Sequence, residues 1–141
     1  IDGMPIGIKD LLETKDMPTQ MGCDAYEGNF PKRDNAVVWA LRQAGAIILC
    51  KTVTAELGGS HPGPTNNPFD LARTPGGSSS GSAAAVAANM LPAAIGLLPL
   101  SSYHSQAGDA AAKSADAFQC CLCMLASPIL VLRIMGQSED L

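Results

Sequence analysis

DNAVVWALRQAGAIILC (residues 34–50) decides how this 141-residue chain folds. Asp34 has the side chain for an N-cap, and Val37, Val38, Leu41 and Ala44 recur at helical spacing. Gly45 stands at the C′ position, where a helix turns left-handed and glycine fits without strain. AIILC (46–50) follows at once as a continuous apolar run, the pattern of a strand covered on both faces, and a short polar turn then brings in Lys51. A helix leading directly into a buried strand predicts an α/β architecture.

The flanking segments extend that pattern. Upstream, GMPIGIKDLL (3–12) alternates Ile6 and Ile8 with smaller residues, which predicts a short strand delivering Lys9 and Asp10 at its end; a loop runs on to about Lys32. Downstream, GGSHPGPTNNPFDLARTPGG (58–77) holds five Gly and four Pro, too many breakers for regular structure. GGSSSGSAAAVAANM (76–90) then passes from glycine and serine into alanine, predicting a helix over about 82–90 capped by Ser80 or Ser82. LPAAIGLLPL (91–100) is the next candidate strand, limited by Pro92 and Pro99 to an edge or to the segment between them. Residues 107–119 suggest a further helix, and the last stretch has no clean period.

Composition narrows the function. With 47% apolar and 16% charged residues the chain is too hydrophobic for general disorder. A net charge of −4 and six aromatics offer neither a cationic field nor a stacking platform, so no nucleic acid partner is expected. The longest apolar run, CCLCMLASPILVL (120–132), falls short of the ~20 residues of a bilayer span, so no membrane partner is expected either. Five cysteines, an odd count, argue against a disulfide scaffold and for a reducing, cytoplasmic compartment. The start at Ile1, without a basic and apolar leader, reads as a fragment.

Three readings compete for PGGSSSGSAAAVAA (75–88). A flexible linker would be solvated, yet this run leads into an uncharged helix. A phosphate cradle would need a lysine after the second glycine, but Ala83 follows Ser82. A catalytic loop would use converging hydroxyls at a helix N-terminus, and would need a base to activate them. His61 and His104 are the two histidines, and either could in principle serve a Ser–His–Asp relay. Lys9 is the alternative base, because burial would favour its neutral form; against this stands an exposed lysine simply paired with Asp10. Cys120, Cys121 and Cys123 lack a second Cys/His pair at zinc-ligand spacing. Cys23 and Cys50 could be thiol nucleophiles, although Cys50 lies in the apolar strand and reads as core.

Four stretches, in order and approximate spacing, resemble the amidase signature family: GMPIGIKD (3–10), GAIILCKT (45–52), NPFD (67–70) and PGGSSSGSAAAVAA (75–88). The resemblance covers residues 1 to about 96 and implies a partial fold of that family, a layered mixed β-sheet between helices. It further implies a serine hydrolase acting on carboxamides through an acyl-serine intermediate, with no metal or organic cofactor. By position, Lys9 resembles the general base and Ser78 the cis-peptide serine that relays the proton. In the family the nucleophile follows about two dozen residues later in a glycine-rich segment. That count reaches Ser102, whose context, GLLPLSSYH (96–104), has Ser101 in place of glycine and lacks the Arg–Pro continuation. Pro99 has no N–H for an oxyanion hole.

Residues 97–141 do not resemble the family, which divides the chain into a partial amidase signature domain at 1–96 and a non-matching segment. The expected substrate is a small carboxamide, with the chain inactive as it stands. The alternative is a non-catalytic remnant or association module, self-associating through sheet edges left uncovered.

Overall fold

The computed structural model describes residues 1–97. They form β1 (Pro5–Lys9), α1 (Ala36–Gln43), β2 (Ile47–Thr52), α2 (Ser80–Ala87) and β3 (Ala93–Ile95), with short 3-10 turns at Asp24–Tyr26 and Glu56–Gly58. The sheet order is β2-β1-β3, and β1 pairs in parallel with both neighbours. The β1–β2 pair is joined by a crossover through α1, and α2 lies in the connection from β2 to β3, the two outer strands of the described sheet. The architecture is α/β, a sheet with flanking helices, and the described strands pair only in parallel.

The α1 boundaries show how local chemistry sets the frame. The N-cap is Asn35, one residue after the expected Asp34: its side chain accepts from the Val37 N–H at 3.0 Å. Asp34 instead reaches Arg42 Nε at 3.2 Å and accepts from the Lys15 backbone N–H at 2.9 Å. At the other end, Gly45 N–H donates to Arg42 O and Ala46 N–H to Leu41 O, closing a Schellman motif with Gly45 at φ +83°. The chain therefore turns straight from helix into strand. Val38 and Leu41 of α1 pack on Ile6 and Ile8 of β1, with Leu12, Ala46 and Ile95 completing the buried cluster.

Strand β2 departs from expectation in two ways. It lies at the edge of the described sheet, and Ile47 and Leu49 are 51% and 55% exposed, so it is not covered on both faces. A continuous apolar run marks a buried strand only where other elements cover both faces, and among the described residues none covers the face that carries Ile47 and Leu49. Lys51 does not sit in a turn; β2 runs through it to Thr52. A register shift between Ile6 and Gly7 of β1 lets β2 carry one extra residue, aligning Lys51 with Ile8 and Thr52 with Lys9.

Helix α2 begins two residues before the expected start, at Ser80, and its N-cap is Ser79, with no side-chain capping bond. Its close seat on the sheet depends on Gly81, where a Cβ would collide with the backbone N of Val53. Strand β3 is limited to Ala93–Ile95. The expected helix at 107–119 and the cysteines at 120–123 lie outside the described residues. Among the described residues, no helix is long and apolar enough to cross a membrane.

Candidate active site

Lys9 ends β1 and is fully buried. Its neighbours along the strand alternate sides, so Ile6 and Ile8 enter the apolar cluster while Gly7 and Lys9 face the other way. There Lys9 Nζ lies 2.6 Å from Ser78 Oγ and 3.2 Å from the Leu97 carbonyl oxygen. Ser78, also buried, stands at the mouth of α2, and the Gly77–Ser78 peptide is cis. Its position is fixed from the strand side: Ala55 N–H donates to Ser78 O at 2.9 Å and Gly81 N–H to Val53 O at 3.0 Å. Sixty-nine positions of sequence separation are thus closed by the β2–α2 crossover.

No carboxylate pairs with Lys9 among the described residues. Burying an ammonium with only neutral partners disfavours its charged form, and burial pushes the Lys9 pKa down from 10.5 to about 8. A neutral amine at 2.6 Å from a hydroxyl can take that hydroxyl's proton. The reading of Lys9 as an exposed partner of Asp10 is excluded, because Asp10 pairs with Lys51 at 2.7 Å.

Further hydroxyls surround the pair, and sequence reasoning did not single out their roles. Ser79 Oγ donates to Leu97 O at 2.8 Å, so one carbonyl is shared between Ser79 and Lys9. Thr52 Oγ1 and Ser82 Oγ share a buried hydrogen bond of 2.6 Å, and Ser82 Oγ donates to Ile95 O at 3.3 Å. That brace joins β2, α2 and β3 beside Lys9. Its signal was present in the sequence as hydroxyls inside otherwise apolar elements, but their partners are long-range.

The other candidates do not join this cluster. His61 is exposed in the long loop. Cys50 is half-buried rather than core, with its thiol pKa raised by burial, away from the reactive thiolate. A cleft of about 520 Å³ is lined by Asp10, Cys23 and Thr54 among others, without Lys9 or Ser78. Ser102 and His104 lie outside the described residues. Among the described residues, no His/Cys/Asp/Glu group could hold a metal ion.

A parallel α/β sheet with a buried lysine against a serine at a helix N-terminus defines a class of site, and the comparisons supply the family. The Amidase family model matches residues 1–97, and the chain belongs to that family. Among its relatives, one subunit of the glutamyl-tRNA(Gln) amidotransferase of Acidothermus cellulolyticus is 50% identical over 100 residues, covering 67% of this chain and 20% of the relative. The solved structure of the same amidotransferase subunit from Thermotoga maritima is similar at a TM-score of 0.61 with 39% identity, over 66% of this chain and 23% of that one. The native peptide amidase of Stenotrophomonas maltophilia gives 0.61 and 38%, over 66% and 21%. The chain spans about a fifth of the length of the curated relatives it matches.

Proposed function

We propose that residues 1–96 carry the proton-relay half of a hydrolytic site for carbon–nitrogen bonds of carboxamides. The observation that carries this reading is the 2.6 Å approach of Lys9 Nζ to Ser78 Oγ, both buried. Lys9, neutral in a substantial fraction at mildly alkaline pH, draws the proton from Ser78. Ser78 in turn draws one from a nucleophilic hydroxyl, which attacks the amide carbonyl; the C–N bond then breaks, leaving an acyl-serine, and the amine departs with the proton that Lys9 returns through Ser78. Water then hydrolyses the acyl group. The relay needs neither metal nor organic cofactor, since the protons move among Lys9, Ser78, the nucleophile and the leaving amine.

The nucleophile is the weak member. Ser102 stands at the family's count, but Ser101 and Pro99 occupy positions where the family has glycine-rich backbone, and losing one oxyanion donor costs about 10²–10³ in rate. We therefore propose that this chain turns over amides barely or not at all, with residues 98–141 standing outside the family domain. Several relatives are named as amidotransferase subunits, which supports a protein partner for a full-length form.

The test compares the purified chain with a chimera in which residues 1–96 continue into the remainder of a curated relative. Both are offered simple aliphatic and aromatic amides. Turnover by the chimera that Lys9→Met and Ser78→Ala each abolish supports the relay. Chimera turnover that survives Ser78→Ala rejects it, and turnover by the original chain that disappears on Ser102→Ala rejects the inactivity. A second reading, an association module, is favoured by the exposed apolar side chains of edge strand β2. Its expected signature is a concentration-dependent increase in mass by light scattering.

A further inference from the structure

We propose that Lys51 is a positioning residue for Lys9: it holds Asp10 and the segment 18–20 against the end of β2, and cancels the carboxylate charge on the residue next to the base. The inference rests on the reading of Lys9 as that base.

The chain places two lysines on neighbouring parallel strands and gives them opposite surroundings. Lys51 Nζ pairs with Asp10 Oδ1 at 2.7 Å and donates to Thr19 Oγ1 at 2.7 Å and Pro18 O at 3.2 Å. An ammonium has three N–H donors, and here each has a partner, one of them a carboxylate. Lys51 is therefore fully partnered. Among the described residues, Lys9 has two partners, both neutral.

Asp10 connects these environments. It follows Lys9 directly, its backbone N–H continues the ladder to Thr52 O at 3.0 Å, and its Oδ2 accepts from Gln20 N–H at 3.0 Å. An unbalanced carboxylate here would favour the charged form of Lys9 and work against its use as a base. The elements packed on Lys9 offer little else that titrates. Strand β2 contributes Cys50 and Lys51, β3 and α2 contribute none, and the loop after β1 contributes Asp10 and then Glu13. Burial lowers the Lys9 pKa, and the Asp10–Lys51 pair keeps the adjoining charge balanced, so loss of Asp10 and loss of Lys51 should shift it in opposite directions.

The full chain has five lysines, few enough for ¹³Cε-lysine labelling to follow each through a pH titration, with Lys9 assigned by loss of its signal in Lys9→Arg. Lys51→Met should raise the Lys9 midpoint by about one pH unit, Asp10→Asn should lower it by about as much, and the double variant should return it close to the parent value. Loosened packing alone would not give shifts of opposite sign that cancel. Single variants that leave the midpoint in place, or move it in the same direction, overturn the proposal. Should Lys51→Met lose its native amide spectrum, Asp10→Asn decides by itself: a fall supports the role, and no change or a rise rejects it. A parent midpoint near 10.5 would instead reject the base reading, which keeps the two failures distinct.

Discussion

On one side of β1, Ile6 and Ile8 press into Val38 and Leu41 of α1; on the other, Gly7 and Lys9 face Thr52, Ser78 and Leu91. The first face is apolar, and its partners come from the β1–β2 crossover and from Ile95 of β3. The second is assembled from small and hydroxyl-bearing side chains, and a Cβ on Gly7 would come within 2.7 Å of Leu91 Cδ1. Five residues of strand thus divide the work: one face holds the fold, and the other accepts a buried amine that the fold must tolerate. The apolar face can therefore be altered without touching the buried amine, because Ile6 and Ile8 never share a face with Lys9.

The largest expected effect tests the chemical face. In an active chimera, Lys9→Met should lower kcat by about 10³-fold, within the range of general-base loss, as measured by ammonia release; Ile8→Ala should leave kcat within a few-fold. Next comes the apolar face: Ile8→Ala should cost about 3 kcal/mol in urea unfolding, through lost burial and the cavity left behind.

A smaller effect of opposite sign is expected at Lys9. Its folded pKa of about 8 lies below the unfolded value of 10.5, so the unfolded chain binds the extra proton between those limits. Stability should be lowest below pH 8, rise with pH through that window, and level off above it. Lys9→Met should remove that slope. At pH 7 it should stabilise the chain by about 1–2 kcal/mol, because relief of a buried charge outweighs the lost hydrogen bonds. A destabilised Lys9→Met would break the division between the faces. The smallest change belongs to the sheet edge: Leu49→Lys should alter unfolding free energy by at most about 0.5 kcal/mol while reducing any self-association seen by sedimentation.

The frame was legible where signals are local. Alternation at Ile6 and Ile8, the spacing of Val38 and Leu41, and Gly45 at a helix end each report on a few adjacent residues. The Lys9–Ser78 approach was legible through the family resemblance, since no local rule joins residues 69 positions apart. Exposure of β2 was not legible, because the run Ile47–Leu49 is equally apolar whether or not another element covers it. The cap shifted from Asp34 to Asn35 for a related reason: both side chains can cap, and the distant Arg42 and Lys15 engage Asp34. Lys51 likewise looked like a turn residue until its long-range partners placed it on the strand.

Leu97 contributes to the cluster through its carbonyl oxygen, which accepts from both Lys9 and Ser79. That atom belongs to the main chain, so no replacement of the Leu97 side chain deletes it. Scanning this stretch with alanine would pass over one of the lysine's two anchors without registering it. Rerouting the backbone there would release the amine, whatever side chain the residue carries. Leu97 is also the last residue the family model matches, so the match ends on a residue whose main chain anchors the buried amine.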